Sequence, residues 1–150
     1  MLRLACRAHM RQRLLVTPTR SMWCALNTDA YHRFVDVTIE GVQEVYEDEA
    51  DDDLELNMEV ECADGVLNVT VGEHGTFVIN KQTPNLQLWL SSPVSGPLRY
   101  DFVPEAAAWH NTRDEHELLG LLASDFETLV GKRLDFGRVA EALREEAEKS

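Results

Sequence analysis

The chain has 150 residues, enough for one domain with a core of its own, and 44% of them are hydrophobic. Its formal net charge of −13 speaks against nucleic acid or an anionic membrane as partner of the folded part, and favours metal cations or a basic protein surface. No apolar run reaches the roughly 18 residues that would suggest a membrane-spanning helix, and Cys6, Cys24 and Cys62 have the spacing of neither a disulfide framework nor a zinc site.

The charge is unevenly placed. All 27 acidic residues lie beyond Thr28, whereas Arg3, Arg7, Arg11, Arg13 and Arg20 precede it among Leu, Ala, Val and Met. Residues 1–21 therefore read as a mitochondrial presequence, an amphipathic, Arg-rich and acid-poor helix, the alternative being an unstructured basic tail. Charges that interrupt every apolar run count against a secretory signal. Beyond it a domain is expected over residues 27–136, followed by a tail, 137–150, that packs on the domain or frays.

With Asn27 or Thr28 as its cap, the next segment has helical periodicity. Tyr31, Phe34, Val35, Thr38, Ile39, Val42, Val45 and Tyr46 form one apolar stripe. The opposite stripe is Asp36, Glu40, Glu44, Glu47 and Asp51, with Asp48 beside it. Like charges three or four residues apart destabilise a helix, and no Lys or Arg occurs between Arg33 and Lys81 to relieve them. Such a ridge suits a cation or a basic partner better than mere solubility requires. His32, one turn before Asp36, is placed to join it. The run Asp51–Asp53 ends the helix. Alternation of Leu54, Leu56, Met58, Val60 and Cys62 with Glu55, Asn57, Glu59 and Glu61 predicts a half-buried strand with an acidic outer face. Asp64-Gly65 is a two-residue hairpin turn, and Leu67, Val69 and Val71 continue the apolar face to the turn at Gly72–Gly75.

Three further strands follow. Phe77 and Ile79, then Leu86, Leu88 and Leu90, then Leu98, Tyr100 and Phe102 share the apolar face, with turns at Lys81–Asn85 and Ser92–Pro97. The other face carries Asn80, Gln87, Trp89 and Arg99, and an exposed Trp beside an Arg is typical of a binding surface. A last short strand begins near Trp109. Thr112-x-x-Glu115 reads as a capping box opening a second helix, whose stripe is Leu118, Leu119, Leu122, Phe126, Leu129 and Val130 and whose end is Gly131. The tail has Leu134, Phe136, Val139 and Leu143 to bury, and Glu145–Ser150 are expected to fray. Elements with one apolar face each are satisfied by a two-layer α+β sandwich, two helices on one side of an antiparallel sheet of five to seven strands. Nucleotide-loop, nucleophile-elbow and metalloprotease motifs are missing, and no two of the five histidines stand at i, i+4. The ridge offers carboxylate oxygens, ligands that hold hard cations weakly when the site is open and wet.

The order Asn80-Lys81-Gln82-Thr83-Pro84-Asn85, Trp89-Leu90-Ser91-Ser92-Pro93, Ser95-Gly96-Pro97 and Arg99-Tyr100-Asp101 resembles the frataxin family, and the likeness extends more loosely from about Leu26 to Phe136. The resemblance implies the same sandwich, a place in the mitochondrial matrix, and iron held weakly at Asp36, Glu40, Glu44, Glu47, Asp48, Asp51 and Glu59. It implies that Asn80, Lys81, Gln82, Trp89 and Arg99 dock on a cysteine desulfurase and its iron–sulfur scaffold protein, thereby activating cluster assembly, and it adds ferrochelatase, and hence heme biosynthesis, as a further partner. One departure is visible: the family's first strand is richer in acids at its start, where Leu56 and Asn57 stand here. The rival readings are a weak ferroxidase and iron store working as an iron-dependent homo-oligomer, and an acidic interaction module without a metal role.

The leading segment has a direct test. Deleting residues 1–21 from a reporter fusion is expected to abolish mitochondrial import, and a deleted fusion that still reached the matrix would overturn the presequence assignment.

Overall fold

The computed structural model describes residues 26–149, so the presequence expected in residues 1–21 lies outside the described residues. Helix α1 spans Thr28–Asp52 and opens on Asn27, whose side chain accepts the Ala30 amide at 2.8 Å. An Asn here satisfies one of the amides that a helix start leaves unpaired. All eight residues of the predicted apolar stripe, Tyr31 through Tyr46, are buried.

Six strands follow: β1 (Met58–Ala63), β2 (Val66–Val71), β3 (Gly75–Gln82), β4 (Gln87–Ser92), β5 (Gly96–Val103) and β6 (Ala108–Asn111). Each pairs antiparallel with the next, so the sheet is a meander in chain order. Asp64 (φ 52°) and Gly65 (φ 76°) close the first hairpin in the left-handed conformations a tight two-residue turn requires. Helices α2 (Leu118–Val130) and α3 (Gly137–Lys149) complete the chain. The fold is the expected α+β sandwich, with three helices rather than two. Its core lies between the helices and one sheet face, where Leu67, Val69, Phe77, Ile79, Leu88, Leu90 and Tyr100 are all at most 2% exposed.

Four local expectations are corrected. The first strand begins at Met58, not Leu54: the Asp53 carboxylate accepts the Glu55 amide at 3.2 Å, winding Leu54–Leu56 into a 3₁₀ turn that leaves Leu54 80% exposed. Lys81 and Gln82 belong to β3, and the turn shrinks to Thr83–Asn85. The capping box at Thr112 does not form. The buried Asn111 side chain accepts the Arg113 amide at 2.9 Å, the Thr112 amide bonds Arg99 O at 3.0 Å, and α2 starts only at Leu118. Here the side chain before the predicted cap has captured the turn. The tail, finally, stays helical through Lys149. α3 crosses α1 so closely that a Cβ on Gly41 would meet Val139 at 3.0 Å, and Arg33 Nε donates to Glu146 Oε1 at 2.8 Å.

The two layers are tied by an aromatic cluster. Phe34 stacks on Phe102 at 3.9 Å, and Phe102 meets Trp109 edge-on at 5.1 Å. The Trp109 indole N–H donates to Thr38 Oγ1 at 2.8 Å, and the Thr38 hydroxyl donates to Phe34 O at 2.7 Å. Thr38→Val keeps the shape but strands a buried indole donor, so it is expected to destabilise the fold by about 1–3 kcal/mol, read as a lowered urea midpoint. An unchanged midpoint would mean that the bond contributes nothing.

Candidate functional site

Two surfaces emerge, one from each layer. The first is the outer side of α1, where burial of one stripe turns Asp36, Glu40, Glu44, Glu47, Asp48 and Asp51 to solvent. Basic residues distant in sequence reach both ends of this ridge. Lys81 Nζ sits 2.8 Å from Asp36 Oδ1, Arg138 Nη2 pairs with the Asp48 carboxylate, and Lys132 Nζ lies 2.6 Å from Oε2 of the buried Glu49. Glu47 accepts Gln43 Nε2 at 2.7 Å. Among the described residues Glu40, Glu44 and Asp51 enter no ion pair. Burial first, then the Glu40 and Glu47 carboxylates, push the Cys62 thiol above its usual range, placing Cys62 within the ridge's negative field.

One expected ridge member lies elsewhere. Glu59 stands opposite Thr70 in the β1–β2 register, one residue out of phase with the buried Val69 and Val71, so it faces the open side of the sheet rather than α1. Asp36 is held by Lys81, while the His32 ring lies against Tyr31 at 5.5 Å. Among the described residues, no group of three or more His, Cys, Asp or Glu side chains converges as a cage would. The donor set is an open line of carboxylate oxygens, suited to hard cations bound one or two ligands at a time.

The second surface is the uncovered face of the sheet. Register places Asn80, Trp89 and Arg99 in one row across β3, β4 and β5. The Arg99 guanidinium lies 4.6 Å from the Trp89 ring centroid, a cation–π pair. The Trp89 indole N–H donates to Gln87 Oε1 at 3.0 Å, and Gln87 Nε2 donates to Asp101 Oδ1 at 2.8 Å. Trp89 is half-buried and held from both sides, so its orientation is set before any partner arrives. Gln82 shares this face. Lys81 does not: it alternates to the helix side, where it meets Asp36. Four of the five expected docking residues are thus brought together. Arg113 and Thr112 line the same shallow depression of about 470 Å³ and were not foreseen. A helix was expected there, and only the Asn111-pinned turn carries them to the sheet.

Residues 24–132 match the frataxin-like domain family. The chain is 40% identical over 112 residues to the mitochondrial frataxin homolog of Schizosaccharomyces pombe, covering 75% of this chain and 71% of that protein. It is 46% identical over 101 residues to that of Drosophila melanogaster, covering 63% and 53%. A solved trimeric frataxin from Saccharomyces cerevisiae, complexed with ferrous iron, superimposes with a TM-score of 0.58 at 31% identity, covering 66% of this chain and 87% of that one. Family match, fold and relatives agree: the chain belongs to the frataxin-like family and is a mitochondrial protein.

Proposed function

We propose that this protein works in the mitochondrial matrix as an activator of iron–sulfur cluster assembly, docking by its open sheet face on a cysteine desulfurase–scaffold complex and carrying iron loosely at the acidic ridge. The observation that carries the reading is the row Asn80–Trp89–Arg99, a rigid aromatic and a stacked guanidinium on an uncovered sheet face, in a member of this family. Trp and Arg are the side chains most enriched where binding energy concentrates. Activation would be allosteric: the protein favours one state of the complex by binding that state more tightly.

Iron is cargo here. Among the described residues Glu40, Glu44, Glu47 and Asp51 are ridge carboxylates that enter no ion pair, and with Asp36 and Asp48 they form the line along which iron is held. Ferrochelatase belongs to the same proposal as a second recipient of iron. A second reading, an oligomer that stores and oxidises ferrous iron, is favoured by one observation, the trimeric, ferrous-complexed state of the Saccharomyces cerevisiae structure. Iron-dependent oxygen consumption together with iron-dependent growth in particle size would support it over the first.

The primary test is sulfide production by the desulfurase–scaffold complex, with and without this protein. A rate the protein leaves unchanged would defeat the activator role. Trp89→Ala is expected to leave most of the folding stability in place, losing well under the roughly 3–5 kcal/mol of a fully buried Trp. The same change should weaken complex formation by at least about 2 kcal/mol. A stable Trp89→Ala protein that binds normally would defeat the docking claim.

The ridge has its own test. Replacing Glu40, Glu44 and Glu47 by Gln is expected to weaken iron binding while raising thermal stability by about 0.2–0.5 kcal/mol per relieved like-charge neighbour. Added salt should narrow that gain. If neither iron titration nor melting moved, the ridge would be an ordinary solvated helix face.

A further inference from the structure

The depression beside Trp89 carries two guanidiniums. Arg99 and Arg113 both line it, together with Val78, Asn80, Pro97 and Thr112. In a chain of net charge −13, neither arginine enters an ion pair among the described residues. Two nearby acids have other tasks: Asp101 accepts from Gln87, and Asp114 accepts from His116. Glu59 and Glu61 share the face but stand on β1, at the opposite edge from β5.

The pairing is built into the backbone. The Thr112 amide donates to Arg99 O at 3.0 Å, Asn111 Nδ2 donates to the same oxygen at 3.3 Å, and Asn111 Oδ1 accepts the Arg113 amide at 2.9 Å. Asn111 is 3% exposed. One buried amide thus locks the turn that presents Arg113 to the strand that presents Arg99. Two like charges on one concave surface repel, and that repulsion is relieved by an anion between them. The planar fork of a guanidinium suits a carboxylate in particular. Val78, Trp89 and Pro97 add apolar surface alongside.

We propose that this depression receives an acidic segment of a partner protein, an Asp or Glu carboxylate held between Arg99 and Arg113, with a neighbouring apolar side chain resting against Trp89 and Pro97. The proposal deepens the docking role of the sheet face and rests on it, naming the chemistry of the partner segment and adding Arg113 as a specificity-determining residue. It also explains how a strongly acidic protein takes an acidic ligand. The ridge repels such a segment and the sheet face attracts it, so the protein's own field orients the encounter.

The test is a titration of isotope-labelled protein with a capped Leu-Glu-Leu-Glu-Leu peptide and its Gln counterpart, following the Trp89 indole and the Arg99 and Arg113 side-chain N–H resonances. The Glu peptide is expected to saturate these signals at least about tenfold more tightly than the Gln peptide, and Arg113→Gln to lose about that factor. Arg113→Lys should fall between, and Glu145→Gln, exposed on α3 away from both surfaces, should leave binding intact. Equal binding of the two peptides, or an Arg113→Gln protein that binds as well as the parent, overturns the proposal. So does inorganic phosphate saturating the same signals as tightly as the peptide, which would mark a small-anion site. A matched melting curve for Arg113→Gln assigns its loss to binding rather than folding. The same variants are then titrated against the desulfurase–scaffold complex. Peptide binding without complex binding would sink the assembly reading while supporting this one, and Trp89→Ala weakening the complex while Arg113→Gln does not would do the reverse.

Discussion

A sheet covered on one side has a dry face and a wet one, and a period of two residues assigns every side chain to one or the other. Nearly everything about this molecule depends on that assignment. The dry face takes Phe77, Ile79, Leu88, Leu90 and Tyr100 against α1 and closes the core with them. The wet face keeps Asn80, Trp89 and Arg99 aligned because neighbouring strands are locked in register by the residues buried between the layers. A binding surface of this kind needs no loop to be ordered and no helix to move. Its rigidity is that of the core on the other side of the same backbone.

The helix layer solves a different problem. Beyond Arg33, α1 carries a line of like charges that its own sequence does nothing to offset. The relief comes from remote parts of the fold, with Lys81 arriving from β3, Lys132 from the segment after α2 and Arg138 from α3. Those cations meet Asp36, Glu49 and Asp48, while Glu40 and Glu44 between them enter no ion pair among the described residues. The helix persists because burial of Tyr31, Phe34, Val42 and Tyr46 outweighs repulsions worth a few tenths of a kcal/mol each. The negative field is therefore retained along the middle of the helix and moderated near its ends.

Most of this architecture was legible in the sequence because it rests on periodicity. The stripe on α1, the Asp64-Gly65 hairpin, the alternation from Phe77 to Phe102 and the Gly131 stop are local patterns with one physical solution each. What could not be read depended on a side chain choosing between two local partners, or on elements far apart in the chain. Asn111 and the Thr112 capping box compete for the same turn, and nothing in the tetrapeptide says that Asn111 will be buried against β5. Asp53 likewise caps a 3₁₀ turn where alternation alone continues a strand. The resemblance counts Lys81 with Asn80 and Gln82 as a docking residue, and only the strand boundary shows that it points the other way. Glu59 joins the ridge only by resemblance, whereas alternation already sets it on the outer face of its strand, where the register has it. Arg113 and Arg138 acquire their roles from contacts across the fold, for which a single sequence carries no signal.

β3 is therefore a seam. Consecutive residues on it serve opposite sides of the protein: Asn80 and Gln82 belong to the open face, and Lys81 between them holds Asp36 on the ridge. Neither surface is free to drift independently of the other. An insertion or deletion of one residue in the Gly72–Gly75 turn that slid β3 by one step would turn Lys81 outward and drive Asn80 into the core, spoiling both surfaces at once. Point substitutions are then the open route by which either surface diverges, and change of length is confined to the ends of the domain and to turns whose strands keep their phase.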